Sequence, residues 1–189
     1  MHTMKTVLGS AIAAASLLLT LDSAHAAEAD PRAACKALSA LSTPSFRVDT
    51  TEWVEAGRVP MGPPGATAEV PSHCLMRVTL DARASNIEGV SLGTGIEFRL
   101  PQQWNGRLLV QGGGGLNGVL GAAMGNVAGA PSALLRGFAV VSNDGGHRGR
   151  NNTDSSFAAD QQAKLDFAYQ AVANTVRAAK SMLDRYYGR

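Results

Sequence analysis

Four consecutive glycines, Gly112 to Gly115, stand directly behind the apolar run Leu108-Leu109-Val110 and lead into Leu116-Asn117-Gly118. Each glycine forfeits about 1 kcal/mol of backbone entropy relative to alanine, so a run of them points to left-handed backbone or to close approach of a bound group. Two chemistries use bare backbone N–H groups in this way: a cradle for phosphate, and an oxyanion hole for acyl transfer. A third reading carries no chemistry, namely a turn that lets a loop pass close to a helix.

Gly113 to Gly118 formally matches the dinucleotide pattern G-x-G-x-x-G. That pattern needs a helix opening at its last glycine and an acidic residue about 20 positions further on for the ribose. No Asp or Glu occurs between Glu97 and Asp144, so the phosphate reading falls behind the oxyanion reading. A second pattern, Gly89-Val90-Ser91-Leu92-Gly93, matches the G-x-S-x-G nucleophile elbow. An elbow sets its serine between a strand and a helix, whereas Ser91 runs into Gly93-Thr94-Gly95 and then a strand. Ser91 also precedes the glycine run, the reverse of the order in α/β hydrolases, and is read as a turn serine. Asp144 and His147 are an acid and a base only three residues apart on one loop, poorly placed for members of a triad. Asp144 is expected to brace a turn, and His147 to bond locally or line a cleft. His73 reads as a strand-edge residue, and neither histidine has the companions of a metal site.

The elements that would position these residues are legible. Asp30-Pro31 is a helix start, with Asp as N-cap and Pro at the first helical position, leading into Ala33 to Leu41. Ser42 to Pro71 carries Pro44, Pro60, Pro63, Pro64 and Gly65, which predicts an extended, loop-rich connection. His73 to Ala84 alternates with period two, as do Ile96 to Leu100, and Trp104-Asn105-Gly106 supplies turn chemistry before Arg107 to Val110. These make an antiparallel start to a sheet. Gly137 to Val141 reads as a buried strand whose carboxyl end opens into Ser142-Asn143-Asp144-Gly145-Gly146. Leu165, Ala168, Tyr169, Val172, Thr175, Val176, Ala179, Met182, Leu183 and Tyr186 mark an amphipathic helix that stops at Gly188 and packs on a sheet.

Composition bounds the function. Lys5, the apolar stretch Val7 to Leu21 and the small-residue site Ala24-His25-Ala26 read as a secretory signal covering residues 1–26, too short in its apolar core for a membrane span. About 160 residues remain, enough for one core. Export takes the chain away from the nicotinamide pool. The net charge of +2 is scattered singly, leaving no footprint for nucleic acid or an anionic membrane. The two cysteines, Cys35 and Cys74, lie in the exported part and are expected to pair, stabilising the fold by about 3 to 4 kcal/mol in the chain-entropy view. Free thiols or a metal site are the weaker alternatives.

Together, Leu100-Pro101, Trp104-Asn105-Gly106-Arg107, the glycine run ending at Gly118, Asn143-Asp144-Gly145-Gly146-His147 and Asp166-Phe167-Ala168-Tyr169-Gln170-Ala171-Val172 resemble, in order and spacing, the tannase and feruloyl esterase family of secreted serine hydrolases. The resemblance covers about Cys35 to Arg189 and departs at Ala173, where similar sequences often carry His. It implies an α/β fold: the N-terminal part of an α/β-hydrolase, a mixed sheet flanked by helices, incomplete. Residues 27–73 are then an N-terminal helix and loop-rich segment, and 74–189 the first part of the catalytic domain. The implied substrate is a small ester of gallic, ferulic or a similar aromatic acid, and the implied destination is secreted or periplasmic. Gly113, Gly114 and Gly115 become the oxyanion-hole candidates, and Cys35–Cys74 the bridge. The nucleophilic serine, expected in a Gly-Cys-Ser-type elbow, the Asp and His of the triad, and a lid with calcium ligands are all expected beyond Arg189. No cofactor is expected within the chain itself, and alone it is expected to be inactive. The competing reading is a secreted, non-catalytic module that binds a small aromatic ligand or a partner.

Overall fold

The computed structural model describes residues 30–61 and 64–188. The expected leader lies outside the described residues, as does Pro63. Asp30 caps helix α1 (Pro31–Ala37): its carboxylate accepts from the Arg32 N–H at 3.0 Å, with Pro31 at the position where a missing N–H costs nothing. A 3₁₀ turn, Leu38–Leu41, follows.

The segment read as loop-rich contributes more than loops. Strand β1 (Phe46–Val54) pairs antiparallel with β4 (His73–Arg83), and a hairpin of β2 (Gly57–Pro60) and β3 (Thr67–Val70) lies between them in the chain. The prolines flank β1 instead of interrupting it. Its own alternation is broken by an irregularity between Val48 and Thr50, which hides the period in the sequence.

Strand β4 pairs antiparallel with β5 (Ser91–Pro101), as its alternation implies. The turn at Trp104-Asn105-Gly106 does not close a hairpin. Strand β6 (Leu108–Gln111) instead lies one place further out, because β7 (Ala139–Asn143) inserts between it and β5. β7 is antiparallel to β5 and parallel to β6, so the sheet is mixed, in the order β1-β4-β5-β7-β6, with the short β8 (His147–Arg148) also on β5.

Two faces of this sheet differ in kind. On one, Cys74, Met76, Val78, Ile96, Phe98, Leu100 and Val141 pack with α1 and the C-terminal helix into the main apolar core. The Cys35–Cys74 disulfide ties α1 to β4 on that face. On the other lie His73, Arg77, Glu97 and Arg99. A second apolar cluster, in which Met124 and Leu134 pack near Val140, covers part of the sheet with the crossover that joins β6 to β7.

The C-terminal helix is one rod in three parts: α2 (Gln161–Leu165), a turn of π-helix (Asp166–Gln170) and α3 (Ala171–Tyr187), ended by Gly188 at φ 70°. The π turn holds one residue more than an α turn and rotates the buried face. Tyr169 and Val172, expected in the apolar stripe, are therefore exposed, while Ala171, Thr175, Ala179, Met182 and Leu183 are buried.

Candidate active site

Parallel strands β6 and β7 end on the same side of the sheet, so the loops that leave them meet there. The glycine loop leaves β6 at Gln111, and the loop carrying Asp144 leaves β7 at Asn143. Glycine lets them touch. A side chain at Gly113 would overlap the Asn117 amide, and one at Gly145 would lie 2.9 Å from the Asn117 Cβ. The Gly118 N–H donates to the Asp144 carbonyl at 2.9 Å, and the Gly149 N–H donates to the Gly118 carbonyl at 2.9 Å. Gly115, at φ 58°, passes under the Asn152 carbonyl, which accepts from the Leu116 N–H at 2.8 Å.

These contacts leave the crest of the loop open. The Gly114 carbonyl accepts from the Asn117 N–H at 3.0 Å, while the N–H groups of Gly113, Gly114 and Gly115 have no acceptor among the described residues. A Cβ on Gly114 would meet nothing within 4 Å. Gly113 and Gly114 line a cleft of about 510 Å³ together with Asn117, Asn143, Arg150 and Asn152. Free, fixed donors at the mouth of such a cleft can stabilise a negatively charged oxygen.

Asp144 is buried and works as a brace. Its Oδ1 accepts from the N–H groups of Gly95 (3.0 Å) and Gly146 (3.1 Å), pinning the loop to β5. Burial pushes its carboxyl up to about 7, against the pull of those two N–H groups and of Arg148. The neighbouring Asn143 accepts from the Gly145 N–H at 3.0 Å, and its Nδ2 is buried without a partner among the described residues. Gly146 packs directly on Asp166, the first residue of the π turn, which in turn takes a 2.8 Å ion pair from Arg83.

His147 does not line the cleft. Among the described residues neither ring nitrogen has a partner of good hydrogen-bond geometry, the nearest local group being the Gly145 backbone, and the ring stacks on Phe157 at 3.7 Å with Phe167 at its edge. Burial lowers its pKa, favouring the neutral ring. The segment Ser156–Ala159 and the π turn fold over it, a long-range event that the local sequence does not announce. Ser91 opens β5 opposite Arg148 instead of sitting in a turn, and it lines a cavity that the glycine loop does not share.

His73 is the first residue of β4, at the strand's edge as expected, and is fully buried because β4 lies between β1 and β5. Its Nδ1 bonds the Pro71 carbonyl at 2.7 Å and its Nε2 meets Arg99 at 3.2 Å, which makes Nδ1 the donor and Nε2 the acceptor. Burial pushes its pKa down to about 4, and Arg99 adds to that against the Pro71 bond. Glu97 is held below the usual carboxylate range: burial pushes it up, but Arg99, the Ala123 N–H and Arg77 together outweigh it. The strand alternation separates Glu97 and Arg99 from the apolar face, yet carries no sign that this charged face is itself buried. Asn117 was likewise missed as a wedge between two glycines; its positive φ of 51° shows only in the fold.

Comparison with known proteins decides the family. The model for tannase and feruloyl esterase matches residues 81–189, more than half of the chain. This chain belongs to the tannase and feruloyl esterase family. Within it, the chain is 33% identical over 172 residues to mono(2-hydroxyethyl) terephthalate hydrolase of Piscinibacter sakaiensis, covering 84% of this chain and 28% of that protein. Feruloyl esterase B from Aspergillus oryzae superposes with a TM-score of 0.65 at 25% identity, over 84% of this chain and 30% of that one. Tannin acyl hydrolase from Aspergillus niger shares the fold at a TM-score of 0.53, 22% identity, 82% of this chain and 29% of that one. The chain thus has the mixed sheet and flanking helices of an α/β-hydrolase and spans less than a third of the length of these relatives. The family match begins inside β4, so the glycine loop, the Asp144 loop and the π turn all lie within it. Among the described residues no helix is long and apolar enough to cross a membrane, and no group of three His, Cys, Asp or Glu side chains could hold a metal ion.

Proposed function

We propose that this chain supplies the oxyanion-hole half of a secreted or periplasmic serine esterase acting on esters of gallic, ferulic or similar aromatic acids. The observation that carries the reading is that the N–H groups of Gly113, Gly114 and Gly115 have no acceptor among the described residues, with Gly113 and Gly114 lining a cleft and close neighbours at Gly113 and Gly115 that glycine alone accommodates. In the reaction a serine, activated by His, attacks the ester carbonyl, and these N–H groups take the charge of the tetrahedral oxygen. The donors are fixed before the reaction, so no reorganisation opposes charge development.

In this reading the serine enters from an elbow beyond Arg189, and the triad Asp and His, with a calcium-binding lid, follow it. Within the chain the Cys35–Cys74 disulfide suits an oxidising compartment.

The test is hydrolysis of ethyl ferulate and methyl gallate by this chain alone and by the same chain extended through the downstream reading frame. The extended protein is expected to turn over at least one of them and the 189-residue chain neither. Gly113→Ala, which drives a methyl group into the Asn117 amide, is expected to lower kcat of the active form by about 10²-fold, the effect of one misplaced oxyanion donor. Hydrolysis by the 189-residue chain that disappears in Ser91→Ala would overturn the reading.

A further inference from the structure

The charged face of the sheet opens into a cleft of about 780 Å³, distinct from the glycine-loop cleft and separated from it by Val119, which lines both. Its floor is an ion network in which two guanidiniums share one carboxylate. Glu97 Oε2 accepts from Arg77 at 2.9 and 2.8 Å, and Oε1 accepts from Arg99 at 2.8 Å and from the Ala123 N–H at 3.1 Å. That carboxylate has its acceptor sites filled and offers none to a ligand. His73, holding its proton on Nδ1, adds no charge of its own to the network.

The outward parts of the two guanidiniums are uncommitted. Arg77 uses Nε and one terminal nitrogen, Arg99 uses Nε and Nη1, and the remaining terminal nitrogens have no acceptor among the described residues. The Arg77 side chain is 44% exposed and the Arg99 side chain 6%, and both line the cleft, so the network is reachable from it. Arg148 also lines the cleft, and with Glu52 and Glu97 as its acids the lining carries one more positive than negative charge. The remaining walls are apolar, built from Val59, Met61, Leu75 and Val119. A guanidinium held rigidly from behind on a saturated glutamate is preorganised for a second, planar carboxylate in front.

We propose that this cleft is a binding site for an organic carboxylate with an apolar body, the carboxylate resting on the outer N–H groups of Arg77 and Arg99 and the body against Leu75, Met61 and Val119. The site stands whether or not the chain forms part of an esterase.

Benzoate is the probe, benzamide its uncharged counterpart, and inorganic phosphate an anion without an apolar body. Titrated calorimetrically into the purified chain, benzoate is expected to bind saturably and at least about tenfold more tightly than either of the others. Arg77→Gln is expected to weaken benzoate by about tenfold or more, through loss of the charge-assisted bond. Val119→Glu leaves the ion network untouched at a site 49% exposed, so it folds even if the arginine variant does not, and it is expected to weaken benzoate by about fivefold through like-charge repulsion. Equal binding of benzoate and benzamide, equal binding of benzoate and phosphate, or unchanged benzoate affinity in folded Val119→Glu would each overturn the proposal.

Discussion

The two faces of the central sheet are built from the same strands, residue by alternate residue, and do opposite things. Met76, Val78, Ile96 and Phe98 point into a dry core closed by α1, α3 and a disulfide. Their neighbours Arg77, Glu97 and Arg99 point into a charged network beside an open cleft. A strand has only two sides, so a protein that needs both a core and a polar site can take both from one pair of strands. The apolar side contributes through area removed from water, the charged side through the mutual satisfaction of a few groups.

That contrast can be broken by substitution. Phe98→Ala, at a fully buried ring, is expected to cost about 4 kcal/mol, measured by urea unfolding at constant pH. Glu97→Gln leaves two guanidiniums with a neutral partner and is expected to cost about 3 kcal/mol in the same assay. A loss well under 1 kcal/mol would mean that water reaches both arginines, and the two faces would then differ as dry and wet rather than as apolar and ionic.

The finest probe is pH. Asp144, pushed up to about 7, holds in the folded state a proton that the unfolded chain has lost, so its contribution falls as pH rises from about 4 to about 7. His73, pushed down to about 4, refuses a proton that the unfolded chain takes, so its contribution rises from about 4 to about 6.5. His147, also lowered by burial, adds to the rise. The opposing slopes of Asp144 and His73 largely offset each other. Asp144→Asn keeps an acceptor for Gly95 and Gly146 but removes the falling slope, so thermal midpoints of the variant are expected to climb with pH between about 4 and 6.5 more steeply than those of the parent. Parallel profiles would sink this account.

Local signals in the sequence were sound where the structure is local. The Asp30-Pro31 cap, the alternation of β4 and β5, the apolar run of β7 and the Gly188 stop all read correctly because each depends on near neighbours. β1 was obscured by its own irregularity at Asp49, and the exposed Tyr169 and Val172 by a π turn that shifts the period by one residue. The candidate site was half visible. Its glycines could be read because left-handed backbone and close packing leave a compositional mark. The burial of His147 under Phe157 and the sharing of Glu97 by two arginines could not, because each joins side chains from separate elements.

The place of β7 has a consequence for how the molecule comes together in time. Synthesis delivers β5 and β6 first, yet in the sheet they are not paired with each other, and the slot between them waits for residues 139–143. Until that segment arrives, both flanking strands present unpaired edges, and any premature pairing of one with the other must be undone. The same late arrival brings the Asp144 loop against the glycine loop. β7 is therefore the strand that both joins β5 to β6 and brings the candidate site together, so an early stall leaves neither half finished.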